Sequence, residues 1–152
     1  MIRIWLFLHY LGQVMWLGAG MAAMVYGVVG KKETGASRTA TLRGQLVVHK
    51  MLIGPGAFFI AFSGVFLSLR TYGGETSAGG PSVWLMVMQA TGIVGALIVL
   101  FFALPSMSRL ARLGPGADDV LFEQLRRRHA AIATLSGTLG LLGLVSAACL
   151  RY

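Results

Sequence analysis

The chain has 152 residues, the length of one domain, yet 56% of it is hydrophobic, 12% is charged and its mean hydropathy is +0.74. That leaves too little polar surface to wrap a water-soluble globule. The formal charge of +8 is gathered in short clusters between apolar runs rather than on one face, which argues against a nucleic-acid partner.

Four stretches, about 4–29, 45–70, 83–104 and 129–150, hold almost no Asp, Glu, Lys or Arg. Roughly 20 helical residues cross the ~30 Å hydrocarbon layer, so each stretch predicts a membrane span. No period-two alternation supports a barrel, and helices satisfy their own backbone in lipid. The expectation is an all-α bundle of four transmembrane helices forming a single domain over 1–152.

The first run is longer than a signal-peptide core and carries His9 and Gln13, so it reads as a retained helix. His9, Gln13 and Trp16 follow the i, i+4, i+7 pattern and share one face, which an apolar helix turns inward. That face is either an interhelical hydrogen-bond cluster or a ligand site, with Gln89 of the third run at similar depth. In the second run, Gly54-Pro55-Gly56 predicts a kink beside His49, because proline removes a helical donor and clashes with the preceding turn. Lys50 lies near the start of that run, where its stem can snorkel to the headgroups.

The Tyr72–Pro81 stretch is a Gly- and Ser-rich turn. The third run is aliphatic and aromatic after Gly95, so it is expected to face lipid or another protein. Gly114-Pro115-Gly116-Ala117-Asp118 reads as a turn ending in a helix N-cap, after which the acidic and basic residues to Arg128 extend the fourth helix into the interface. Gly137, Gly140 and Gly143 form a small-residue stripe suited to close helix packing. Trp5, Tyr10, Tyr72, Trp84 and Tyr152 fall where interfacial aromatic anchors belong.

Ten of the thirteen basic residues, Lys31, Lys32, Arg38, Arg43, Lys50, Arg109, Arg112 and Arg126 to Arg128, flank two connections on one side of such a bundle. Arg3, Arg70 and Arg151 fall on the other. The positive-inside rule then places both basic loops in the cytoplasm and both termini outside, as in a multi-pass protein of a bacterial-type inner membrane. The arginine run also attracts anionic lipid.

Three histidines lie in or at the edge of these runs, and intramembrane ionisable residues are costly enough to be functional by default. His49 and His129 are expected at similar depth on different helices, as two axial ligands of heme b require. Arg43 and Arg126 sit at the same level, where guanidinium groups pair with propionates. His9 is on the order of 20 Å away across the bundle and forms a separate candidate ligand site. As metal ligands the same three histidines are the candidates, with heme b placed ahead of copper. Met15, Met21, Met24, Met51, Met86 and Met88 offer soft donors for Cu(I), although flexible apolar packing is their commoner use. Cys149 is the single cysteine, so no internal disulfide forms. Ser63 and Ser136 lack an acid–base pair, and no phosphate-binding loop is present.

Leu8-His9-Tyr10-Leu11-Gly12-Gln13-Val14-Met15-Trp16-Leu17-Gly18 opens the chain's first span, and Pro55 and Gly64 mark the second. These residues, the length and the helix count resemble a superfamily of small four-helix membrane proteins. It includes the CopD copper-resistance proteins, the HemJ-type protoporphyrinogen oxidases and a group of predicted integral membrane proteins without assigned function. The resemblance implies that His9 is a heme or metal ligand and that a basic residue of the last loop touches a porphyrin. HemJ-type enzymes carry an Asn-Glu-Pro stretch near the last helix; here the region reads Arg126-Arg127-Arg128-His129-Ala130-Ala131, and the chain has no Asn. The third group is the nearest match.

The expected function is therefore a heme- or metal-binding membrane protein in electron transfer or heme or copper handling. Two alternatives stand beside it: a non-catalytic subunit packed against a larger membrane complex, or a HemJ-like oxidase. Whether the protein is an enzyme stays open. Beyond the lipid bilayer, the partners considered are a larger membrane complex and a second copy of the chain.

Overall fold

A computed structural model describes residues 2–72, 82–113 and 118–150. They form four helices, each long and apolar enough to cross a membrane: α1 (Ile2–Lys32), α2 (Gly35–Arg70), α3 (Val83–Arg112) and α4 (Asp119–Ala148). The connection at 73–81, the turn at 114–117, and Arg151 and Tyr152 lie outside the described residues.

The helices run further than the apolar stretches. α2 begins at Gly35 rather than near Gln45, and α3 continues to Arg112 past Pro105. Hydropathy marks where lipid begins, whereas the hydrogen-bond ladder continues into the basic flanks. Arg38, Arg43, Arg109, Arg112 and Arg126 to Arg128 are consequently helical residues and not loop residues. Ser82 starts α3 by accepting a hydrogen bond from the Leu85 N–H at 3.2 Å. Asp118 starts α4 in the same way, accepting from Val120 at 2.9 Å, as its sequence context predicts.

α1 packs along the second half of α2, α3 along α4, and α2 also lies against α3. The basic starts of α2 and α4 lie side by side at one end. There the Arg38 guanidinium sits 4.7 Å above the Phe122 ring and 3.4 Å from the Asp119 carboxylate, joining the two helices.

The core is small-residue packing around one large ring. Trp16 is 2% exposed, and it lies with Ile53, Ala57, Ile60, Ala96 and Val99. A Cβ on Gly95 would come within 2.5 Å of the Trp16 indole, so the ring occupies the space that a side chain there would need. α1 and α2 meet backbone to backbone: a Cβ on Gly12 would lie 2.7 Å from the Ile60 nitrogen, and one on Gly56 would lie 2.7 Å from the Trp16 nitrogen. Two of the three glycines in the α4 stripe face side chains closely, Gly140 the Leu17 side chain and Gly143 the Thr91 hydroxyl, while a Cβ on Gly137 would meet nothing within 4 Å.

α3 does not leave its apolar half to lipid on all sides. Ala96, Val99, Ala103, Met107 and Leu110 recur at helical spacing and are buried inside the bundle, while Leu97, Phe101 and Phe102 face outward. Away from the basic end, the outward face of the described helices is rich in large apolar side chains, as a lipid-immersed surface is.

The disruption expected near Pro55 takes the form of a π-helical turn, His49–Ile53, just before Gly54 and Pro55. A second, Val99–Ala103, precedes Pro105 in the same way. In both cases the wide turn ends shortly before the proline, which cannot donate to the ladder. A third wide turn, Val14–Gly18, carries Trp16 in α1 without any proline.

Candidate functional site

Two polar clusters interrupt the apolar interior, one toward each end. The first is the histidine pair. His49 opens the π-helical turn of α2 and is 4% exposed. Its Nδ1–H donates to the Gln45 carbonyl at 2.8 Å, which leaves the lone pair on Nε2. His129 comes from α4, and the centroids of the two rings are 5.2 Å apart with planes inclined at 56°. The Nδ1 of His129 is buried without a hydrogen-bond partner among the described residues. A buried ring nitrogen left unpaired costs about 1–3 kcal/mol, so something must justify the arrangement. Gln45 supports the pair from one turn earlier; it is buried, and its amide donates to the Ala23 carbonyl of α1 at 3.2 Å.

The flanking arginines are not equivalent. Arg126 is engaged by Glu123 through two hydrogen bonds of 2.7 Å each, and Arg127 donates to the same carboxylate at 2.8 Å. Arg43 is on the exposed side of α2. Arg126 meets Glu123 through its Nε and Nη2 atoms, a fork-to-carboxylate pairing along one helix.

The second cluster is built on the inward face of α1. His9 Nδ1 lies 3.0 Å from the Ser63 hydroxyl of α2. That hydroxyl donates its own proton to the Phe59 carbonyl, so it accepts from His9, and the histidine lone pair resides on Nε2. Gln13 donates to the Gly140 carbonyl of α4 at 3.4 Å, and Gln89 donates to the Ser68 hydroxyl. His9, Gln13, Ser68 and Gln89 line one cavity of about 250 Å³, together with Gly92 and Gly140. Ser63 is 14 residues beyond His49 on the same helix, roughly 21 Å at 1.5 Å per residue. His9 therefore belongs to a different site from the pair.

Sequence reasoning had no signal for Ser63 or Ser68 as partners of the polar residues, because both contacts join different helices at distant points of the chain. Among the described residues, no three His, Cys, Asp or Glu side chains gather where they could hold one metal ion. Met21, Met24, Met51 and Met86 lie on the outward face, where thioethers serve as apolar surface. No known family model, curated protein or solved structure matches the chain.

Proposed function

We propose that the chain is a membrane-embedded heme- or metal-binding protein whose ligands are His49 and His129. The observation that carries this reading is the juxtaposition of two imidazoles from different helices, 5.2 Å between centroids, with His49 Nε2 left as the lone-pair nitrogen and His129 Nδ1 buried without a partner among the described residues. Neutral imidazoles of this kind suit zinc, copper, iron and nickel.

The spacing separates the two forms of the proposal. With metal–nitrogen bonds of about 2 Å, rings on neighbouring corners of a tetrahedron have centroids roughly 5 Å apart. Rings on opposite faces of a porphyrin iron stand about 6 Å apart, so heme b at this pair requires α2 and α4 to separate by about 1 Å and admit the macrocycle. A single transition-metal ion with open positions is the form closer to the observed spacing. On the positive-inside reading, the site lies near the cytoplasmic face of a bacterial-type inner membrane, within reach of an electron donor or metal carrier.

The test is metal analysis of the detergent-purified protein together with oxidised and dithionite-reduced absorption spectra and a pyridine hemochrome assay. A stoichiometric ion, or a reduced b-type spectrum, that disappears in His49→Ala and His129→Ala supports the reading. A colourless protein that neither retains nor takes up a transition metal sinks it and leaves a scaffold subunit as the better account.

A further inference from the structure

The cavity around His9 lies at the far end of α2 from the histidine pair and has its own hydrogen-bonding logic. Ser63 and Ser68 have spent their hydroxyl protons on the carbonyls of Phe59 and Gly64. They therefore accept from His9 and Gln89, and this fixes the orientation of both side chains. Gln13 donates to a backbone carbonyl, which fixes its orientation as well. Among the described residues this leaves the amide oxygens of Gln13 and Gln89 and one N–H on each amide, and with the Nδ1 proton toward Ser63 it leaves a lone pair on His9 Nε2. His9 offers this cavity only an acceptor.

The cavity volume of about 250 Å³ exceeds the roughly 150 Å³ that accepts a benzene ring in an apolar interior. Trp16 supplies part of its wall. Val65, Leu69 and Leu144 also line it, and they are 45%, 68% and 49% exposed, so among the described residues its mouth reaches the apolar outer surface. An occupant must then be lipid-soluble, with a compact head that donates hydrogen bonds and a tail that remains among the apolar side chains.

We propose that this cavity binds a quinol, a membrane-soluble aromatic diol, with one hydroxyl donating to His9 Nε2 and the ring among the apolar lining residues Ile60, Val65 and Leu144. A quinol hydroxyl both donates and accepts, so it meets the acceptors on α1 and α3 and the spare amide N–H groups together. The oxidised quinone carries acceptors alone and would set its oxygen against the His9 lone pair. An aliphatic alcohol supplies one hydroxyl and no ring. The proposal concerns binding only and stands independently of any metal at His49 and His129.

The experiment uses the full chain in lipid nanodiscs, with empty nanodiscs as the blank. Decyl-ubiquinol, decyl-ubiquinone and dodecanol are titrated by calorimetry, and the 15N signals of the three histidines are followed by NMR. The expected result is saturable quinol binding at least about tenfold tighter than quinone or dodecanol, with the His9 signal moving and the other two unmoved. Gly92→Leu is the key variant, because a Cβ at Gly92 meets nothing within 4 Å and the residue lines the cavity. It should keep the helical circular dichroism and lose at least about tenfold in quinol affinity. His9→Phe should also lose the preference for quinol over quinone. Unchanged quinol affinity in a folded Gly92→Leu protein overturns the site, as does the absence of saturable binding to the unaltered chain. Quinone or dodecanol binding as tightly as quinol overturns the assignment of the ligand class.

Discussion

His49 and His129 come from different helices yet have ring centroids 5.2 Å apart, tilted by 56°, and the Nδ1 of His129 has no hydrogen-bond partner among the described residues. A metal at this pair competes with protons for the same lone pairs. Co(II) titrated into the metal-free protein is therefore expected to give visible d–d absorption whose affinity falls as the pH is lowered from 8 toward 5, since imidazolium is not a ligand. Gln45→Ala, which keeps the backbone carbonyl that orients His49, should retain the ion within about tenfold. Affinity that is flat across this pH range would point to ligands other than imidazole.

The crossing of α1 and α2 at Gly12 and Gly56 makes a stability prediction. Because a Cβ at either position would lie within 2.9 Å of backbone atoms of the opposite helix, Gly12→Val or Gly56→Val must force the helices apart. A loss of about 1–3 kcal/mol or more is expected, read as a lowered midpoint of thermal unfolding in mild detergent. Gly20→Ala, where the new Cβ meets nothing within 4 Å, should leave the midpoint unchanged or slightly raised.

The contact of Trp16 with Gly95 predicts a rescue. Gly95→Ala brings a methyl to 2.5 Å from the indole and should destabilise the protein, with a shift in tryptophan emission as the ring moves. Trp16→Phe frees that space at the cost of lost burial. The double substitution should be less damaging than the sum of the two, with a coupling of about 0.5–3 kcal/mol in an unfolding cycle. Simple additivity would mean that the two residues do not share this space.

At the basic end, Arg38 faces both Phe122 and Asp119, but the Asp119 carboxylate is 87% exposed. Exposed ion pairs contribute about 0–1 kcal/mol, so Asp119→Asn should change stability by only a few tenths. Arg38→Ala loses the ring contact as well and should cost more, though still about 1 kcal/mol. Equal effects of the two substitutions would show that the ring contact contributes nothing.

The single cysteine offers a direct measure of orientation. Cys149 is exposed at the end of α4, opposite the basic end. If the positive-inside rule governs this chain, a membrane-impermeant maleimide added to intact cells labels Cys149. Thr34→Cys in a Cys149→Ser background should then label only after the membrane is opened. The reverse pattern inverts the topology.

How much of this is legible in the residues depends on the range of the interaction concerned. The four spans are readable because hydropathy is a local sum, and the inward turn of His9, Gln13 and Trp16 follows from helical spacing alone. Similar depth for His49 and His129 comes from counting residues from the span ends. What counting does not supply is rotation about each helix axis. The burial of Val99 and Ala103 escapes a reading of the sequence because that part of α3 is apolar on every side, whereas Met107 and Leu110 stand in clear contrast to Ser106, Ser108, Arg109 and Arg112 once the helix is followed past Pro105. Ser63 and Ser68 escape it because their partners are fixed only once α2 has been laid against α1 and α3.

The π-helical turn between Gln45 and Gly54 has a consequence for how such a chain changes over time. A wide turn is equivalent to one residue inserted into an α-helix, and each inserted residue rotates the downstream part of the helix by about 100° relative to the upstream part. Everything on the Ser63 side of α2 is thus set in angular phase against everything on the His49 side by a single-residue step. Deleting one residue there would re-aim one end of the helix while leaving the other where it is. The histidine pair and the cavity at His9 are in that sense mounted on a common shaft with a coupling between them, so that one can drift, be lost or be retuned without dragging the other along.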